Sequence, residues 1–71
     1  MAESVYKVIE LVGSSSESWE KAAAAAVERA GQSLRDLRVA EVIKQDVKIE
    51  DGKITAYRVR LNLSFKYEGG A

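Results

Sequence analysis

Apolar and polar positions fall into four blocks with different periods. From Val5 to Val12 the chain is rich in β-branched and aromatic residues: Val5, Tyr6, Val8, Ile9 and Val12. That composition predicts a strand. Its apolar residues point to both faces, which suits a strand covered on both sides. Gly13 reads as a turn glycine that ends the strand together with Ser14, Ser15 and Ser16. Trp19, Ala22, Ala23, Ala26, Val27 and Ala30 then recur at one helical spacing, which predicts a helix with a single apolar stripe. Ser15 or Ser16 is placed to cap it, and Glu17 and Glu20 suit the positive end of the helix dipole. Gly31 weakens the last turn, and the helix is expected to end near Ser33 or Leu34.

Leu37 to Glu50 reads as a long strand. Leu37, Val39, Ile43, Val47 and Ile49 share one face, interrupted by Glu41 and Gln45, while Arg38, Lys44, Asp46, Lys48 and Glu50 share the other. Asp51-Gly52 is a two-residue hairpin signal of type I′. The return strand, Ile54 to Tyr67, alternates without a break. Thr55, Tyr57, Val59, Leu61, Leu63, Phe65 and Tyr67 form its apolar face, and Ala56, Arg58, Arg60, Asn62, Ser64 and Lys66 the polar one. Glu68 to Ala71 should fray.

The order is therefore β-α-β-β, an α+β architecture. A right-handed crossover sets the first and second strands parallel with room between them. The third strand fills that room, giving a three-stranded antiparallel sheet of order 1-3-2 packed on one helix. The long hairpin strands span roughly 46 Å, at ~3.3 Å per residue. The helix spans only about 27 Å, at ~1.5 Å per residue. An alanine stripe cannot cover so long an apolar face, and both outer strands are open edges. The overhang predicts a symmetric homo-oligomer.

Composition sharpens this. The chain has 71 residues, no cysteine and no histidine, with 11 basic and 11 acidic side chains. A core of this size is marginal, and without disulfides or thiolate metal sites oligomerisation is the remedy left. The balanced charge offers no field for a phosphate backbone, so nucleic acid is not an expected partner. No apolar run approaches the ~20 residues that span a bilayer. Met1-Ala2-Glu3-Ser4 lacks a basic, apolar leader, so a cytoplasmic protein is expected. Chemistry would have to rest on carboxylates, lysines, Tyr6, Tyr57 or Tyr67, and no nucleophile has a base at a recognisable spacing. An enzyme is not expected.

Across nearly its full length the chain resembles the dodecin family. The resemblance is carried by Val5-Tyr6-Lys7-Val8-Ile9-Glu10-Leu11-Val12-Gly13-Ser14-Ser15, Arg29-Ala30, Ser33-Leu34-Arg35, Leu37, Glu41-Val42 and Phe65. It implies one dodecin-like domain over residues 1–71, a hollow homododecamer, and a binding or storage role. Flavin-binding dodecins stack the isoalloxazine ring on a strand-2 tryptophan and bond its edge with a strand-3 glutamine. Here Leu37-Arg38-Val39-Ala40-Glu41-Val42 puts Val39 in place of that tryptophan and Ala40 in place of a phenylalanine. Arg58 replaces the glutamine. Valine gives up the aromatic stacking, of order 1 kcal/mol, and an arginine donates but cannot accept a hydrogen bond. Flavin (riboflavin or FMN) is therefore not expected to bind in the family's manner. Ser18-Trp19-Glu20 and Arg38-Val39-Ala40 place the chain nearer a flavin-less subgroup associated with calcium.

Several side chains are candidates for a site. Trp19 reads as a core or interface anchor, with ligand stacking as the alternative. Glu17 and Glu20 at the helix start, and Asp46, Glu50 and Asp51 near the hairpin tip, offer the hard oxygen ligands calcium takes. They read equally as dipole-facing and solvated acids. Arg38, Lys44, Arg58 and Arg60 can hold an anion or pair with Glu41 or Asp46 across the strands. Glu41 interrupts an apolar face, so an arginine of a neighbouring subunit would suit it. Two alternatives remain open: a flavin-binding dodecin with an altered pocket, and an interaction module that recruits a partner by strand addition.

Overall fold

The computed structural model describes residues 3–67 and places four elements in the expected order. They are β1 (Tyr6–Ser15), α1 (Trp19–Gly31), β2 (Leu37–Glu50) and β3 (Lys53–Lys66). The strands form one sheet of order β1-β3-β2, with β3 antiparallel to both neighbours. The expectations for Met1, Ala2 and Glu68–Ala71 lie outside the described residues. At the hairpin tip Asp51 and Gly52 take φ of 53° and 75°, the left-handed pair that a type I′ turn requires.

The helix lies over β1 and β3 and touches β2 only lightly. Ala22 and Ala26 form one buried cluster with Val59 and Leu61, and Ala30 and Leu63 are buried as well, so the alanine stripe and the odd positions of β3 form the core as the periodicity implies. Gly13 corrects the first expectation. It sits inside β1, paired with Val59, and β1 runs on through the serines. A Cβ at Gly13 would lie 2.1 Å from the Ala22 carbonyl oxygen and 3.1 Å from the Ala26 Cβ. This glycine is the place where helix and sheet backbones meet, a role glycine takes within strands.

The helix ends also differ from the expectation. Ser18, not Ser15 or Ser16, is the N-cap, its hydroxyl accepting from the Lys21 amide at 3.0 Å. Ser15 remains in the strand and accepts from the Glu17 amide at 3.0 Å. The α-helix stops at Gly31, and the Ser33 and Leu34 amides both bond back to the Ala30 carbonyl. At 13 residues it is about 20 Å long, at ~1.5 Å per residue. Asp36, at φ 59°, then turns the chain into β2.

The largest correction concerns β2. Its register against β3 shifts between Leu37 and Val39, between Val42 and Lys44, and between Lys48 and Ile49. The first two leave an extra β2 residue, Arg38 and then Ile43, between paired ones, and each moves the following β2 residues to the other face; at the third the extra residue is Thr55 of β3. Leu37, Ala40, Val42, Gln45 and Val47 therefore pair with the helix-side residues of β3, while Val39, Glu41, Lys44, Asp46 and Lys48 pair with its polar residues. Val39 and Glu41 do not lie on the apolar face where strict alternation puts them.

The core is small for the surface it must offset. The accessible surface is 5430 Å², against about 4400 Å² for a compact monomer of this mass. The radius of gyration is 14.7 Å, against about 11 Å for a compact domain of this length. Both excesses follow from a shape 54 Å long, in which the hairpin runs past the end of β1 at Ser15–Tyr57.

Candidate functional site

The sheet face turned away from the helix carries most of the polar candidates. The register stacks them in rungs across the order β1-β3-β2: Ser14–Arg58–Asp46, then Val12–Arg60–Lys44, then Glu10–Asn62–Glu41, then Val8–Ser64–Val39. The first rung contains a two-pronged ion pair. Arg58 donates from Nε to Asp46 Oδ1 at 2.7 Å and from an Nη to Oδ2 at 2.9 Å. The Arg58 hydrogen bonds hold the Asp46 carboxyl below its ordinary value of 3.8, and the charges of Arg58, Lys44 and Arg60 act in the same direction. Asp46 in turn raises the Arg58 guanidinium. Arg58 thus pairs across the strands, one of the two roles its position allows.

Asp46 also holds the helix. Its carbonyl accepts from Trp19 Nε1–H at 3.1 Å, and the indole meets Tyr57 edge to face at 5.2 Å between centroids and 79° between planes. This geometry is a favoured aromatic contact. Trp19 fastens the first helical turn to the base of the hairpin, an anchor within one chain.

The remaining candidates are dispersed. Val39 is 61% exposed on the outer face, its carbonyl accepting from Ser64 Oγ at 3.3 Å. Ala40 pairs with Leu63 on the helix side, so these adjacent residues face opposite ways. Val39 lies opposite Ser64, and Arg58 is six residues further along β3, roughly 20 Å at ~3.3 Å per residue. One chain therefore does not bring Val39, Ala40 and Arg58 into one pocket. Arg38 sits exposed at the first bulge. Glu41 makes no ion pair among the described residues.

The carboxylates named for calcium are also separated. Glu17 pairs with Lys21, Glu50 with Lys48 at 3.3 Å, and Asp46 with Arg58. Glu20 and Asp51 are exposed at the helix start and hairpin tip. Among the described residues no three acidic groups stand where they could hold a metal ion. The described residues of one chain do not assemble the carboxylate cluster from which a calcium site of six to eight oxygens would be built.

Two grooves flank the helix. One, of about 500 Å³, lies between α1 and β1, with Ile9, Leu11, Ala26 and Leu34 in its walls and Arg29 among its polar groups. The other, of about 190 Å³, lies between α1 and β2 and is lined by Trp19, Glu20, Ala23, Val42, Gln45 and Val59. Sequence reasoning missed Glu10 as a member of the outer face, and missed its alignment with Glu41. Only the register places those two side chains on one rung.

Comparison with known proteins agrees with the fold. The dodecin family model matches residues 5–68. A calcium dodecin from Mycobacterium tuberculosis is 58% identical over 64 residues, covering 89% of each chain. The structure of dodecin from Streptomyces coelicolor superposes with a TM-score of 0.92 at 38% identity, covering 99% of this chain and 100% of that one. The crystal structure of the calcium-chelating M. tuberculosis calcium dodecin, described as having a novel calcium-binding site, superposes with a TM-score of 0.82 at 52% identity. The match covers 96% of this chain and 97% of that one.

Proposed function

The chain belongs to the dodecin family, and on that footing we propose that it is a non-catalytic subunit of a hollow homododecameric shell that binds small ligands or ions. We read residues 1–71 as a single such domain, working in the cytoplasm. The observation that carries the proposal is the exposed apolar surface. Val5, Val8, Val12, Val39, Val42, Ile43, Ile49 and Ile54 are each 46–63% exposed, spread over both sheet faces and the hairpin. A monomer does not keep so much apolar surface wet without a partner, and identical copies are the commonest partners.

The ligand reading follows from the residues. At the position of the family's stacking tryptophan Val39 presents a small apolar wall, and Arg58 is already committed to Asp46 through both prongs of its guanidinium. A flavin ring would find neither an aromatic face nor a free amide, which supports a shell that does not take flavin in the family's manner. The similarity to a calcium dodecin supports an ion as the ligand. The dispersal of carboxylates within one chain then requires oxygens from more than one copy.

Native mass spectrometry of the purified protein, repeated with riboflavin phosphate and with calcium, tests the proposal. The expected result is a twelve-subunit species whose mass is unchanged by flavin and raised by calcium. A monomer or dimer would overturn the shell. It would favour recruitment of another protein along β1, whose unbulged edge is the better template for strand addition. A dodecamer that gains flavin would overturn the argument from Val39 and Arg58.

A further inference from the structure

The groove between α1 and β1 lies on the helix side of the sheet, away from the positions of Val39 and Arg58. Its volume of about 500 Å³ falls within the roughly 300–1,000 Å³ typical of small-molecule sites. The groove between α1 and β2, at about 190 Å³, falls below that range. Ile9, Leu11 and Leu34 give the larger groove its apolar walls, and Gly13, where the helix and strand backbones meet, also lines it. All of these residues belong to one chain, so the groove is complete without a second copy.

Arg29 is the one charged residue in those walls among the described residues, and no acid accompanies it. It is exposed in the last turn of α1 and forms no ion pair among the described residues. A guanidinium is a planar fork that takes a carboxylate through two parallel hydrogen bonds. The Ser33 hydroxyl, in the same walls, makes no side-chain hydrogen bond among the described residues and is a further donor. Apolar walls with one unpaired fork are complementary to an apolar body that ends in one negative group. We propose that this groove binds an amphipathic monocarboxylate, its chain along Ile9, Leu11 and Leu34 and its carboxylate on Arg29.

The proposal rests on the small-ligand reading of the protein and gives that ligand a class and a place. Unlike an ion held between copies, this ligand needs no group from a neighbouring subunit. Arg29 also faces the negative end of the helix dipole, a role that any cation fills. Lysine in its place keeps the charge at the helix end but loses the fork, so the two roles are separable by substitution.

Decanoate, octanoate and octanol, each below its solubility and micelle limits, are titrated calorimetrically into the full chain as purified. The expected result is saturable binding of one decanoate per chain. Octanoate, shorter by two methylenes, should bind roughly tenfold more weakly, and octanol, which lacks the carboxylate, roughly tenfold more weakly again. Arg29→Gln should weaken decanoate roughly tenfold and leave octanol unchanged, and Arg29→Lys should recover only part of the loss. Ala25→Leu narrows the groove from an exposed helix position with a residue that suits helices, and should weaken all three ligands. Far-ultraviolet circular dichroism and sedimentation check that each variant folds and assembles as the wild type does. Should Arg29→Gln fail to fold, Ala25→Leu and the comparison of octanoate with octanol carry the test. Absence of saturable decanoate binding, octanol as tight as octanoate, or variants that bind as the wild type does would overturn the proposal. A dodecamer that takes no decanoate would leave the shell standing without this ligand, whereas a monomer that takes it would overturn the shell and leave the groove.

Discussion

Replacing Gly13 by alanine adds one methyl group at the closest approach of helix and sheet. The new Cβ would lie 2.1 Å from the Ala22 carbonyl oxygen, 3.0 Å from its carbon and 3.1 Å from the Ala26 Cβ. The obstructing atoms are helix backbone, so no side-chain rotation relieves the contact, and α1 must retreat by about 1 Å. A gap of ~0.5–1 Å forfeits a quarter to a half of each dispersion contact it opens. The contacts at risk are those of Ala22 and Leu61, both 0% exposed. Overpacking of this kind costs about 1–3 kcal/mol, offset by about 0.4–1 kcal/mol from the less flexible unfolded chain. The net expectation is a loss of about 1–2 kcal/mol, which lowers Tm by roughly 5–15 °C for a domain of this size. Gly31→Ala is the matched control. Its Cβ would meet only the Leu37 Cδ1, at 3.6 Å, and alanine is the better helix former by up to ~1 kcal/mol. Urea and thermal unfolding of both variants at one protein concentration measures the difference, the concentration being held because assembly shifts apparent stability. A Gly13→Ala protein as stable as Gly31→Ala would refute the close approach as the reason for glycine.

Further expectations follow from the same geometry. Trp19→Phe keeps an aromatic edge against Tyr57 but removes the bond to the Asp46 carbonyl, and should cost about 1 kcal/mol in denaturant unfolding. Ser18→Ala removes the N-cap and should cost about 0.5–2 kcal/mol, whereas Ser16→Ala should be near neutral in the same assay. The folded-state pKa of Asp46 lies below its unfolded value. The stabilisation from its pair with Arg58 is therefore present above the unfolded value near 3.8 and is lost as pH falls through the folded one. An acid titration followed by tryptophan emission should show this low-pH component in the wild type, and Arg58→Ala should remove it.

The failures of strand alternation in β2 have one physical origin. A period-2 pattern predicts faces only while the register is unbroken, and a bulge reverses every residue beyond it. Glu41 read as an acid interrupting an apolar face. The register shift after Leu37 instead puts it opposite Asn62 on the solvent side. Gly13 looked like a turn glycine because serines follow it, yet an isolated glycine inside a strand, followed by an alanine stripe, was itself a signal of close backbone approach. The carboxylate candidates were near one another in sequence terms only. Glu17 and Glu50 found cations two to four residues away, and Asp46 took the cross-strand pairing that was one of the two roles open to Arg58.

By itself the sequence determined the element order, the Asp51-Gly52 hairpin, the alanine face of the helix and the apolar face of β3. Those features rest on local periodicity and turn chemistry, which act over a few residues. It also determined that the chain has more apolar surface than one helix can cover. Only the tertiary structure decided which residues of β2 face the helix, why position 13 must be glycine, and how charges line up across three strands. These depend on register and on backbone separation between elements distant in sequence. The rungs of the outer face belong to this second kind, because Glu10 and Glu41 come onto one rung only when β3 lies between them.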